Sequence, residues 1–91
     1  MGRIHIEREH QLSQAELNSL VSDLSDRLAD AYQLRIQQQG DAVHFSRSGA
    51  RGTLLPGPST VVLTLELGLL LRPFRDGIHA AIEQQLDTLL G

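Results

Sequence analysis

Four histidines, His5, His10, His44 and His79, are the residues whose type best suits acid–base or metal chemistry. Their spacing does not suit a metal. His5 and His10 stand five apart across the end of one segment, His44 and His79 lie on others, and no pair has the i, i+4 helical spacing of a zinc site. Alternating apolar residues put His5 and His44 on the polar side of their strands, where Glu7, Arg35 and Glu66 also belong. An enzyme built on His5, His44 and Glu66 therefore requires the first and third strands to come close, and solvated side chains on an open sheet face are the plainer expectation. The serines offer no nucleophile elbow: Ser13 reads as a helix cap, Ser19, Ser22 and Ser25 lie on a helix, and Ser46, Ser48 and Ser59 lie near turns. Asp23, Asp26 and Asp30 follow one helix flank without a preorganised loop, so they read as a solvated face. Gly49 and Gly52 fall between strands rather than before a helix and spell no phosphate-binding fingerprint.

The least ordinary segment is Leu67-Gly68-Leu69-Leu70-Leu71-Arg72-Pro73-Phe74-Arg75, an apolar run that meets two arginines at a helix start. Positive charge there opposes the helix macrodipole. Arg72 and Arg75 could serve an anion or a partner's carboxylate together with the helix N-terminus, whereas the simpler expectation is that Asp76 and the wet sheet edge neutralise both. Leu69, Leu70 and Leu71 are expected to pack into the core. Any of them left outside would, with Phe74, form an apolar patch suited to a homodimer or to attachment to a hydrophobic surface.

The elements that position these residues follow from periodicity. Arg3 to Glu7 alternates as a half-buried strand. Ser13-Gln14-Ala15-Glu16 is a capping box, flanked by Leu12 and Leu17 as a hydrophobic staple, and fixes a helix start. Leu17, Leu20, Val21, Leu24, Leu28 and Ala31 form its apolar stripe. Tyr32, Leu34 and Ile36 then alternate, which predicts a second strand beginning near Tyr32. Gln39-Gly40-Asp41 and Ser48-Gly49 are turn sequences bounding a strand through Val43 and Phe45, a short strand covers Ala50 to Leu55, and Pro56-Gly57-Pro58-Ser59 makes a third turn. Val61, Leu63, Leu65 and Leu67 alternate in what reads as the longest strand. Pro73 suits the first turn of a final helix with apolar positions Phe74, Ile78, Ala81, Ile82, Leu86, Leu89 and Leu90. The expectation is one α+β domain over residues 1–91, a two-layer sandwich of a mostly antiparallel five-stranded sheet with two helices on one face, in the order β-α-β-β-β-β-α. Pairing of the first strand with the last would give a small helix-grip-like arrangement, whose sheet and final helix could enclose an apolar ligand cavity.

Composition narrows the classes. The chain has 91 residues, 41% hydrophobic and 21% charged, ordinary values for a folded domain. It contains no cysteine, which removes disulfides and thiolate chemistry and fits a reducing compartment. No signal peptide is expected at the N-terminus, and the apolar stretch from Val61 to Leu71 is too short for a membrane span. The net charge is −3 and all eight basic residues are arginines, spread singly along the chain, so no basic stripe is expected and nucleic acid is not an expected partner.

Three blocks nevertheless resemble a known family: Ile4-His5-Ile6 with Arg8 and His10; Phe45-x-Arg47-Ser48-Gly49-x-x-Gly52; and Leu67-Gly68-x-Leu70-Leu71-Arg72-Pro73-Phe74. Together they look like the small bacterial polyhydroxyalkanoic acid system family. The resemblance implies a cytoplasmic protein linked to polyhydroxyalkanoate storage granules and their metabolism. It brings no catalytic residue and no cofactor. The stiff Pro56-Gly57-Pro58 turn is a departure from what it would lead one to expect. The resulting expectation is a non-enzymatic module that meets the granule surface or granule proteins through Leu69, Leu70, Leu71, Arg72, Phe74 and Arg75, with a small hydrophobic-ligand-binding domain as the alternative.

Overall fold

The computed structural model describes residues 2–90. Its elements follow the expected order: β1 (Gly2–Glu9), α1 (Gln14–Tyr32), β2 (Arg35–Gln39), β3 (Ala42–Arg47), β4 (Ala50–Pro56), β5 (Thr60–Leu67), a 3-10 turn (Arg72–Phe74) and α2 (Arg75–Leu90). The strands form one antiparallel sheet in the spatial order β1-β5-β4-β3-β2. β1 joins β5 along its whole length, from Gly2 opposite Leu67 to Glu9 opposite Thr60. It is thus as long as β5, eight residues each, although its simple alternation is evident only from Arg3 to Glu7.

Period-two patterning sorts the sheet into two faces. Ile4, Ile6, Val43, Phe45, Leu54, Val61, Leu63, Leu65 and Leu67 turn inward to meet Leu17, Leu20, Leu24 and Leu28 of α1 and Ile78, Ile82 and Leu86 of α2 in one core. Gly52 also faces that core, between Phe45 and Leu65. A Cβ there would run into the Thr64 carbonyl oxygen and the Leu65 side chain, so the missing side chain lets strands and core close up. Of the α2 side chains in this core, Ile82 and Leu86 are fully buried.

α1 begins as its sequence dictates. The Ser13 hydroxyl accepts from the Glu16 N–H (3.2 Å), and the Glu16 carboxylate accepts from the Ser13 N–H (3.0 Å). Its end differs from expectation. Tyr32 is the last helical residue rather than the first of a strand, and Gln33 turns left-handed (φ 59°) to close the helix, with the Gln33 and Leu34 N–H groups both donating to the Ala29 carbonyl. No glycine marks this stop, so the sequence shows only the apolar spacing of Tyr32, Leu34 and Ile36, which a helix-to-strand passage satisfies as well as a strand. Ala31 is exposed, and Ala29 and Tyr32 continue the buried stripe instead.

The cap yields the first prediction. Ser13→Ala should lower the unfolding free energy by about 1 kcal/mol in urea titrations. The hydrogen bond from the Ser13 backbone, then the one with its side chain, holds the Glu16 carboxyl below its ordinary value. A depressed folded-state value contributes stability that is present above the unfolded value and lost as pH falls through the folded one. Glu16→Gln should therefore flatten part of the loss of stability on acidification below the ordinary carboxylate range.

Candidate functional site

On the open face of the sheet the register lines up side chains in rows. His5 stands opposite Thr64, Thr64 opposite Thr53, Thr53 opposite His44, and His44 opposite Gln37. His5 Nδ1 and Thr64 Oγ1 are 3.3 Å apart, as are His44 Nδ1 and Thr53 Oγ1. The two imidazoles are each engaged by a threonine and are separated by β5 and β4, so strand spacing alone puts them about 14 Å apart. Glu66 lies in the neighbouring row, 3.6 Å from Arg51. The structure therefore sets His5 and His44 apart with β5 and β4 between them, while Glu66 stands diagonal to His5 and shares an open depression with His44, Thr53 and Thr64. Among the described residues no group of three or more His, Asp or Glu side chains is placed to hold a metal ion.

His10 has a different role, one that its spacing does not disclose. It is buried, its Nδ1 accepts from the Leu12 N–H (3.1 Å), and its Nε2 lies 2.8 Å from the Gly57 carbonyl oxygen. Accepting at Nδ1 leaves Nε2 to carry the proton and donate. The ring thus ties the end of β1 to the entry of α1 and to the Pro56–Ser59 turn. His79 pairs with Glu83 one helical turn on, at 3.4 Å.

The corner between β5 and α2 departs most from expectation. Leu69 and Leu70 are 78% and 85% exposed, and Phe74 is 60% exposed in the 3-10 turn instead of joining the buried stripe of α2. Only Leu71 packs against the core. The reason is geometric. The Gly68 N–H donates to the Gly49 carbonyl (2.6 Å), and the Leu71 and Arg72 N–H groups donate to the Gly68 carbonyl, so the chain reverses too tightly for three consecutive leucines to point inward. A Cβ on Gly68 would sit 3.0 Å from that Gly49 oxygen, and Gly49 itself has φ 87°, which favours glycine. Asp76 pairs with Arg75 alone, at 3.0 Å, while Arg75 Nε donates to the Arg3 carbonyl (2.9 Å). Arg72 makes no ion pair among the described residues. Of the two arginines expected to be neutralised by Asp76 and the sheet edge, Arg75 meets both.

The two glycine-containing blocks, Phe45 to Gly52 and Leu67 to Phe74, accordingly meet in space through the Gly68–Gly49 hydrogen bond. Residues 4–90 match the family described as "Putative polyhydroxyalkanoic acid system protein". The chain belongs to that family. No curated protein and no solved structure matches it. No helix among the described residues is long and apolar enough to cross a membrane.

A groove of about 570 Å³ opens elsewhere, between α1 and the β2–β3 hairpin, lined by Leu17, Val21, Ser25, Ile36, Gln38 and Pro56 among others. It exists because β2 extends beyond the cover of α1: all five of its residues are exposed, including Ile36 on the inward-facing side. It is open, unlike the enclosed cavity expected beneath the final helix.

The placements of the histidines separate their contributions to stability. His10→Ala should cost about 1–3 kcal/mol because it leaves the Leu12 N–H and the Gly57 carbonyl unpaired, whereas His5→Ala and His44→Ala should each stay within about 0.5 kcal/mol. Denaturant titrations of the three variants check this.

Proposed function

We propose that this protein is a non-enzymatic interaction module that attaches to polyhydroxyalkanoate storage granules, or to the proteins that coat them, in the cytoplasm. The observation that carries this reading is the exposure of Leu69, Leu70 and Phe74 together at one corner in a member of this family. Large apolar side chains gathered on a small domain mark a place where another surface is covered. The corner is held from behind by Leu71 and by the Gly68–Gly49 hydrogen bond, so its outward side chains need no collapse or unfolding to be presented. The two strands that separate His5 from His44 support a role in contact rather than in catalysis.

Purified granules from a polymer-storing host should pellet the protein, and Leu69→Asp with Leu70→Asp should leave it in the supernatant with unchanged far-ultraviolet circular dichroism. Deleting the gene should alter granule size, number or protein coat. Unaltered granules together with no co-sedimentation would refute the proposal.

A further inference from the structure

Antiparallel folding gathers arginines that the sequence keeps apart. Arg3 begins β1, Arg35 begins β2, Arg47 ends β3, and Arg51 lies one residue into β4. Arg72 and Arg75 follow the end of β5. The register brings these strand ends to the same end of the sheet: Arg3 stands opposite Glu66, Glu66 opposite Arg51, Arg51 opposite Ser46, and Ser46 opposite Arg35. Every side chain in that row is exposed and on the open face. Arg47 donates to the Tyr32 carbonyl (2.7 Å), covering the C-terminus of α1, and Arg75 reaches the Arg3 carbonyl from the start of α2.

Six of the chain's eight arginines are therefore at one end, accompanied by three of its eleven carboxylates, Asp30, Glu66 and Asp76. The other eight carboxylates lie along the rest of the molecule with only Arg8 and Arg27, and Arg8 is already paired with Asp87 at 2.6 Å. A chain with a net charge of −3 thus has a cationic end opposed to a strongly anionic body. The cationic end is the one from which Leu69, Leu70 and Phe74 project.

The geometry points to this end as a docking surface for an anionic lipid surface, with Leu69, Leu70 and Phe74 entering the apolar layer while Arg3, Arg35, Arg51 and Arg72 meet the headgroups. Charge complementarity selects the occupant. An uncharged apolar surface would use the leucines and leave the arginines idle; a nucleic acid would use the arginines and leave the leucines in water. A layered surface, anionic outside and hydrocarbon within, uses both. The anionic body, repelled by the same surface, orients the molecule end-on. The inference deepens the granule-attachment reading, since it assigns a chemistry to the surface met by the same corner.

Sedimentation of the full chain with phosphatidylcholine vesicles, with and without about 30 mol% phosphatidylglycerol, tests it. Binding is expected to the anionic vesicles, and to fall steeply between about 0.05 M and about 0.5 M salt. Arg3→Gln, Arg35→Gln and Arg51→Gln combined should lower the partition coefficient about a hundredfold, or about fivefold per arginine. Leu69→Asp with Leu70→Asp should abolish binding, and Arg27→Gln should leave it unchanged. Unfolding titrations establish that each variant is folded. Equal binding to neutral and anionic vesicles, or a triple variant that binds as the parent does, would overturn the inference. Salt-sensitive binding to duplex DNA that survives the leucine changes, without vesicle binding, would overturn it in favour of a nucleic acid. Failure to bind vesicles with granule co-sedimentation retained overturns the lipid assignment alone; failure of both removes the granule reading as well.

Discussion

The pairing of β1 with β5 is the contact on which the rest of the structure depends. It joins the first strand to the last across most of the chain and converts a four-stranded meander into a five-stranded sheet. Its register decides that Ile4 and Ile6 face the helices and that Arg3, His5 and Glu7 face out; a slip of one residue would reverse every one of them. It also gives α2 a floor. Arg8 near the end of β1 pairs with Asp87, and Arg3 near its start accepts from Arg75, so helix and strand run side by side. The corner that links β5 to α2 is thereby held against the beginning of β1, where Gly2 leaves so little room that a Cβ would sit 2.7 Å from the Arg72 side chain.

Two consequences follow from the same closure. The helices cover β1, β5 and β4 more fully than the far edge, so β2 is left exposed on both faces and a groove opens beside it. Chain reversals also collect residues that are remote in sequence. In an antiparallel meander the start of one strand neighbours the end of the next, and charges placed singly at alternate reversals accumulate at one end. The arginines of this chain are distributed in that way, and their separation along the sequence conceals a concentrated charge.

Legibility in the sequence tracked the range of the interaction involved. The Ser13–Glu16 capping box, the Gly40 turn and the alternation of Val61, Leu63, Leu65 and Leu67 are local patterns, and each appears in the structure where the pattern lies. The end of α1 was harder to see because Gln33 adopts a left-handed conformation that a glycine would have advertised. The orientation of Leu69 and Leu70 was invisible because it depends on a hydrogen bond between Gly68 and Gly49, nineteen positions away in a different turn. His10 could be read from its spacing only as a histidine unsuited to a metal site, because one of its two partners, the Gly57 carbonyl, is 47 positions away.

By itself the sequence determined the order of the five strands and two helices, most of their apolar faces, and the family. The elements and their faces follow from hydrogen bonding and apolar periodicity within a few residues of each position, and the family from the residue blocks that resemble it. Only the tertiary structure decided that His5 and His44 have two strands between them, that two of three adjacent leucines face outward, and that six dispersed arginines share one end. Each of these is a distance between segments far apart in the chain, set when the first strand pairs with the last and fixed by the register in which their backbones hydrogen-bond.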